Sequence, residues 1–166
     1  MKRTLFGLLV VAGLAATAVL AADATTKPPL GLPPVPIPAD NPQTPEKVAL
    51  GEKLFLDKRF SSTRQVACAE CHHPEKAFTD SPLRTSEGIK VGGKALTGTR
   101  NAPTVVNAVY FETMFWDGRS PSLDHQAKQP ILNPIEMGMS NEAEAMKAVA
   151  GDAEYQEAFK KAYGRE

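Results

Sequence analysis

One short segment, Cys68-Ala69-Glu70-Cys71-His72, constrains this 166-residue chain more than any other. Its two cysteines are the only ones in the chain, and a histidine directly follows the second. A disulfide between them would close too small a loop to stabilise a fold appreciably. On one helical turn, however, both thiols can reach the vinyl groups of one porphyrin, and the next imidazole can ligate its iron. The spacing predicts a single haem c attached through Cys68 and Cys71, with His72 as the proximal ligand.

Two other kinds of site use closely spaced cysteines. A thioredoxin-like redox pair belongs near a βαβ pattern, and the sequence shows none. A zinc site needs further Cys or His ligands, and only His73 and His125 are left. His73 adjoins His72 and is poorly placed to join it on one metal, so we expect it at the surface or in a supporting role. A thiol–disulfide protein remains an alternative only if no haem is bound.

The first 22 residues have the pattern of a cleaved secretory signal peptide. Two basic residues precede an apolar run over Leu5–Leu20, and small residues follow at Ala21 and Ala22. The alternative is an uncleaved membrane anchor, for which the run is marginal in length. Export predicts a periplasmic location. A formal net charge of zero gives no indication of a nucleic-acid partner.

The rest of the chain divides into a proline-rich arm, residues 23–43, and a haem domain, residues 44–166. Within that domain, helices are predicted at four places where a cap residue precedes an apolar pattern. They begin after Thr44, Ser122, Ser140 and Asp152.

The segments between these helices are less regular. Pro103–Tyr110 is apolar and predicts a further short helix, whereas Pro74–Arg100 is rich in glycine and predicts a long irregular loop. No strand pattern persists. The predicted fold is a mainly α, cytochrome c-like helical domain that wraps around one covalently bound haem, with long irregular loops.

The residues on the other face of the iron decide between an electron carrier and an enzyme. An electron carrier needs a sixth ligand, for which Met114, Met137 and Met139 are candidates. A peroxide-reacting haem keeps that position open beside a group that moves protons, for which Glu136 is the candidate. By default Trp116 and Met137 are core residues. Residue chemistry alone leaves both possibilities open.

Four further blocks surround the haem motif in order: Leu50–Asp57, Gly98–Thr104, Phe115–Arg119 and Asn133–Gly138. Together with the motif, they resemble the bacterial di-haem cytochrome c peroxidase family, which includes MauG-like proteins. The resemblance runs from about Pro38 to the end of the sequence. It covers only the N-terminal, peroxidatic haem domain of that family.

The resemblance implies a periplasmic enzyme that reduces hydrogen peroxide to water with electrons from a small redox protein of the cytochrome c or cupredoxin type. His72 then matches the proximal ligand, and Glu136 matches the distal acid–base group. Trp116 matches a tryptophan between the two haems, which is implied to relay electrons. Asn101 matches a residue that contributes to an interdomain calcium site.

The chain departs from this family in two respects. Gly93 stands where typical peroxidases carry a histidine that caps the resting haem, which predicts an open distal site, and His125 is not expected to replace that histidine. The chain also has one haem motif where the family has two. We therefore expect a fragment, or a second haem domain or subunit as partner. The rival interpretation is a mono-haem electron-transfer cytochrome with Met137 or Met139 as sixth ligand.

Overall fold

The computed structural model describes residues 30–164, whose regular structure comprises four α-helices and one β-hairpin. The elements are α1 Pro45–Leu56, β1 Glu87–Val91, β2 Lys94–Thr97, α2 Leu123–Leu132, α3 Glu142–Ala150 and α4 Ala153–Tyr163. The mainly helical prediction is confirmed. No helix in this part of the chain is long and apolar enough to cross a bilayer. The predicted signal peptide and the start of the arm lie outside the described residues.

The helices begin where local capping chemistry places them. Thr44, Ser122 and Asp152 each accept a backbone N–H through a side-chain oxygen at the start of α1, α2 and α4. The cap of α3 differs from the prediction. Asn141 fills it in place of Ser140, because the Asn141 side-chain oxygen accepts a backbone N–H at 3.0 Å.

The expectation of a long irregular loop over Pro74–Arg100 was wrong in its second half, because β1 and β2 pair there as an antiparallel hairpin. Val91 lies opposite Lys94, so Gly92 and Gly93 form a two-residue turn. Their φ angles of 59° and 81° suit a type I′ turn, which glycine adopts without steric cost. With only five and four residues, the strands are too short to show a clear period of two.

The predicted helix over Pro103–Tyr110 is also corrected. Only Ala108–Tyr110 forms a single 3₁₀ turn. Asn107 precedes this turn in the left-handed region, with φ 60°, and it therefore interrupts any helix across the segment.

The helices enclose one apolar core within the compact unit that begins at Val35. α1 packs on α4, and α3 packs on both α2 and α4. The buried side chains of the core come from helices, from the hairpin and from the loops beside the haem motif: Leu50, Phe60, Val66, Ile89, Met137, Ala145, Val149 and Tyr155. The core therefore joins the helices to the segments that carry the predicted site.

A polar network fastens α1 to α4 beside this core. Arg59 donates to Asp57 and to Asp152, and the Tyr155 hydroxyl donates to Asp57 Oδ2 at 2.8 Å. Burial opposes ionisation of Asp57, but hydrogen bonds from Arg59 and Tyr155 outweigh it and hold the pKa of Asp57 down at about 2. Burial and the bond to Asp57 raise the pKa of Tyr155 to about 12. The network is thus held in one protonation state near neutral pH.

Candidate functional site

The cysteine motif lies on a tight turn that neighbouring residues organise. Cys68–Glu70 form one 3₁₀ turn, and Glu70 Oε2 accepts the backbone N–H of Ala67 at 2.6 Å. Just before it, the fully buried hydroxyl of Ser61 accepts the N–H groups of Gln65 and Val66 at 3.1 Å each. These bonds hold the backbone that leads into the motif at residues 65–67.

Both thiols are unpaired and partly exposed. Burial raises the pKa of Cys68, and it raises the pKa of Cys71 to about 12, with further contributions from the charges of Asp80 and Glu136. Thiol–disulfide exchange requires a thiolate. Because this environment keeps both thiols protonated, it is unlike that of a redox-active cysteine pair.

The His72 imidazole is fixed in one orientation. Its Nδ1 lies 3.1 Å from the carbonyl oxygen of Phe78. Since a carbonyl oxygen only accepts, we assign the proton to Nδ1, which leaves Nε2 with a free lone pair. The Phe55 ring of α1 packs beside the His72 ring and the Phe78 ring, and each pair of ring centroids is 6.3 Å apart. This is the tautomer that iron ligation through Nε2 needs.

The carbonyl that orients His72 belongs to a strained turn. Ala77 and Phe78 both have positive φ angles, 54° and 57°, which costs free energy for residues with a Cβ. The Thr104 hydroxyl donates to the Ala77 carbonyl at 2.6 Å, and the Phe78 N–H donates to the His73 carbonyl at 2.8 Å. Strain held by specific bonds is typical of a functional position.

His73 turns away from its neighbour. Its Nδ1 lies 3.6 Å from Glu75 Oε1, and its backbone pairs with Thr79. Within residues 30–164, no three His, Cys, Asp or Glu side chains are grouped as a metal site requires. The zinc alternative therefore has no site in the described part of the chain.

Strand β1 connects the haem motif to the segment that carries Glu136. The Cys71 thiol donates to the Glu87 carbonyl at 3.7 Å. A bulge in β1 directs the Ile89 N–H away from β2, toward the carbonyls of Ile135 at 3.2 Å and Glu136 at 2.9 Å. The tertiary fold thus brings Cys71 and Glu136 to one strand, although 65 positions of sequence separate them.

Gly88 is a site residue that the sequence reasoning missed. A Cβ at this position would overlap the carbonyl oxygen of Ile135 and approach the Cα of Glu136. Only glycine allows the two backbones to come this close. An isolated glycine in a strand signals a bulge or a close backbone approach, so that signal was present but uninterpreted.

The Glu136 carboxyl is half-buried and hydrogen-bonded. Burial raises its pKa, an effect that the charge of Arg119 and the hydrogen bond from Asn133 Nδ2, at 2.9 Å, oppose. A raised pKa makes this carboxyl a better proton acceptor than an exposed glutamate.

Trp116 and Asn101 lie together, but at the surface. The indole N–H donates to the Asn101 carbonyl at 2.9 Å, while 61% of Trp116 is exposed. The default expectation that Trp116 belongs to the core was wrong. Phe111 and Val106, a few positions earlier in the chain, are also exposed.

The remaining candidates are placed as follows. Met114 and Met137 are buried, and Met139 packs against the core that contains Met137. Gly93 lies in the exposed hairpin turn. His125 Nδ1 is engaged, at 2.8 Å from the Ser120 hydroxyl and at 2.9 Å from Gln129 Nε2.

The donor set fits a covalently attached haem. Two unpaired thiols occupy one turn, and the adjacent imidazole offers Nε2 because its Nδ1 is already engaged. Glu136, near Cys71, supplies a carboxyl in the same neighbourhood. Cys68, Cys71 and His72 are therefore the residues that would hold the group.

Sequence comparisons place the chain among proteins of one family. The family model for di-haem cytochrome c peroxidase matches residues 45–166. The methylamine utilization protein MauG of Methylorubrum extorquens is 42% identical over 134 residues, which cover 80% of this chain and 36% of that protein. Cytochrome c551 peroxidase of Nitrosomonas europaea is 40% identical over 129 residues, 78% of this chain and 37% of that protein.

Solved structures of this family are similar to the chain as well. A MauG-like protein associated with microbial copper homeostasis superposes with a TM-score of 0.73 at 34% identity, covering 84% of this chain and 40% of its own. The diheme peroxidase BthA of Burkholderia thailandensis gives a TM-score of 0.64 at 28% identity, covering 75% and 34%. The chain thus spans well under half the length of these relatives and corresponds to their N-terminal part. It belongs to the di-haem cytochrome c peroxidase family.

Proposed function

We propose that this chain is the peroxidatic haem domain of a periplasmic enzyme that reduces hydrogen peroxide to water. One observation carries the proposal. Strand β1 brings a fixed imidazole, two unpaired thiols and a half-buried carboxyl into one neighbourhood. The names of the peroxidase relatives support the same activity. Export through residues 1–22 places the reaction in the periplasm.

The chemistry divides between the cofactor and the chain. When bound, the haem supplies the redox-active iron. Cys68 and Cys71 would hold it through thioether bonds, and His72 would ligate the iron through Nε2. Glu136 takes a proton from one peroxide oxygen and gives it to the departing oxygen. The raised pKa of Glu136 supports this double role.

The electrons come from outside this domain. We propose that Trp116 relays them from a second haem domain or subunit, which a small redox protein of the cytochrome c or cupredoxin type reduces. The exposed indole supports this role, because an exposed aromatic side chain can contact a docked partner. Asn101 contributes to a calcium site whose other ligands come from that second domain.

The rival function is a mono-haem electron carrier with a methionine as sixth ligand. Met137 already fills the apolar core, so recruiting its sulfur would leave a cavity there. The position matched to the capping histidine is Gly93, which has no side chain to offer. Both observations favour an open distal face.

A visible spectrum of the haem-loaded ferric chain separates these functions. We expect haem staining that survives denaturation, a high-spin spectrum, and a rapid change when hydrogen peroxide is added. A low-spin spectrum that ignores peroxide supports the electron carrier instead. If the chain carries no covalent haem, the thiol–disulfide interpretation of the two cysteines applies instead.

The relay role of Trp116 has its own test. In Trp116→Phe, donor-driven turnover should fall more than the rate of the initial reaction with peroxide, since only the former needs electron delivery. Phe111→Leu, at another exposed aromatic five positions earlier in the chain, is the control and should change neither rate appreciably. Equal loss of both rates in Trp116→Phe argues against a relay.

A further inference from the structure

Asp80 is a buried carboxylate that neither the haem attachment nor the proton transfer uses. Its side chain is 1% exposed. Its oxygens accept hydrogen bonds from the Ser86 hydroxyl and, at 3.1 Å, from the Ala102 backbone N–H. In the described part of the chain, no lysine, arginine or histidine forms an ion pair with it. The hydrogen-bond donors to its carboxyl in the described residues are thus both neutral.

The position of Asp80 ties it to the proximal side of the proposed haem. It follows the strained turn at Ala77 and Phe78 whose carbonyl orients the His72 ring. Thr79, directly before Asp80, pairs through its backbone with His73, which directly follows the proposed iron ligand. Because Asp80 is buried beside this bridge, water screens its charge little.

A buried negative charge favours the more positively charged of two states, and the effect is strongest where the dielectric is low. The ferric haem carries one more positive charge than the ferrous haem. We propose that Asp80 lowers the reduction potential of the haem attached at Cys68 and Cys71 by stabilising the ferric state. This inference rests on the proposed function, because it requires haem at that motif.

The test is a spectroelectrochemical titration of the haem-loaded chain and its Asp80→Asn variant. Asparagine keeps the shape and an accepting oxygen but removes the charge. At a fixed applied potential, we expect the ratio of ferrous to ferric haem to rise at least tenfold, an upward shift of about 59 mV for one electron. Because the charge is buried, the shift should persist in high salt.

Glu75→Gln provides the matched control. It removes the same charge three residues from His72, but the Glu75 side chain is 69% exposed. Solvent screening should leave the potential nearly unchanged. Equal shifts in Asp80→Asn and Glu75→Gln would mean that burial of Asp80 has no special effect, and would overturn the proposal.

A second control separates charge from structure. Ser86→Ala removes a donor to Asp80 and keeps the charge, so the potential should stay the same or fall. An equal rise in this variant and in Asp80→Asn would assign the effect to a disturbed turn and overturn the proposal, as would an unchanged potential in Asp80→Asn. If Asp80→Asn does not retain haem, Asp80→Ser replaces it, and haem loss from both neutral variants would make Asp80 a structural residue. Failure of the unaltered chain to attach haem counts against the proposed function instead.

Discussion

The helical region and the attachment region of this domain are stabilised in different ways. The helical region, α1 with α3 and α4, relies on capped helices that pack around the apolar core, to which Val66, Ile89 and Met137 of the attachment region also contribute. The attachment region, residues 61–138, relies on hydrogen bonds to backbone groups and contains every non-glycine residue with a positive φ angle among the described residues: Arg64, Ala77, Phe78, Asn107 and Phe115. Strain of this kind clusters at functional sites. The comparison indicates that the helices form a stable scaffold, while the loops are built for a site.

Glu136→Gln should show the largest difference between an effect on activity, which depends on the attachment region, and an effect on stability, which depends on the helical region. We expect peroxide turnover of the haem-loaded protein to fall about 10²- to 10⁴-fold, because glutamine cannot take up and return the proton. The thermal midpoint should hardly change, since the amide can still accept the bond from Asn133. Steady-state kinetics and thermal melts measure the two quantities. Unaltered turnover removes Glu136 from the mechanism.

Gly88→Ala tests whether close backbone contact builds the attachment region. The new Cβ must displace the segment at Ile135 and Glu136, so we expect a loss of about 3 kcal/mol in the free energy of unfolding, with reduced turnover. Gly92→Ala is the matched control. Its φ is positive, but nothing lies near its Cβ, which predicts a cost of about 1 kcal/mol and little change in turnover. Similar losses in both variants contradict the role of Gly88. Denaturant melts measure the free energy of unfolding, and steady-state kinetics measure the turnover.

Low pH should destabilise the helical region, because Asp57 becomes protonated there. The folded pKa of about 2 lies below the usual value for aspartate, so the stabilisation is complete above the unfolded pKa near ~4. It is lost as pH falls through about 2. We expect Asp57→Asn to lose about 1 to 2 kcal/mol at pH 7, and the difference from the unaltered chain to shrink toward pH 2. Urea melts across this range measure it. A constant difference would show that charge on Asp57 is not the cause.

Tyr155→Phe should have the smallest effect. It removes one hydrogen bond to Asp57, while Arg59 still pairs with that carboxylate. We expect about 1 kcal/mol of lost stability, measured by denaturant melts. The haem spectrum and the peroxide reaction should stay the same. A changed spectrum in this variant would mean that the two regions are not energetically separate.

The local part of the fold was predictable from short-range chemistry. Thr44, Ser122 and Asp152 cap their helices as expected, because a cap depends only on residues within a few positions. The shift from Ser140 to Asn141 is an error of one residue between two good caps. The hairpin was missed because each strand is short and its partners in hydrogen bonding include a distant loop.

The sequence by itself determined the family and most of the helices, and it predicted the attachment residues, since each of these depends on residues close together in the chain. Only the tertiary structure decided the rest. It placed Glu136 beside the cysteine motif through Gly88 and Ile89, exposed Trp116, and buried Asp80 without a cation. Burial and proximity set the pKa of Glu136, and no local pattern encodes them, because they arise when segments distant in sequence exclude water together.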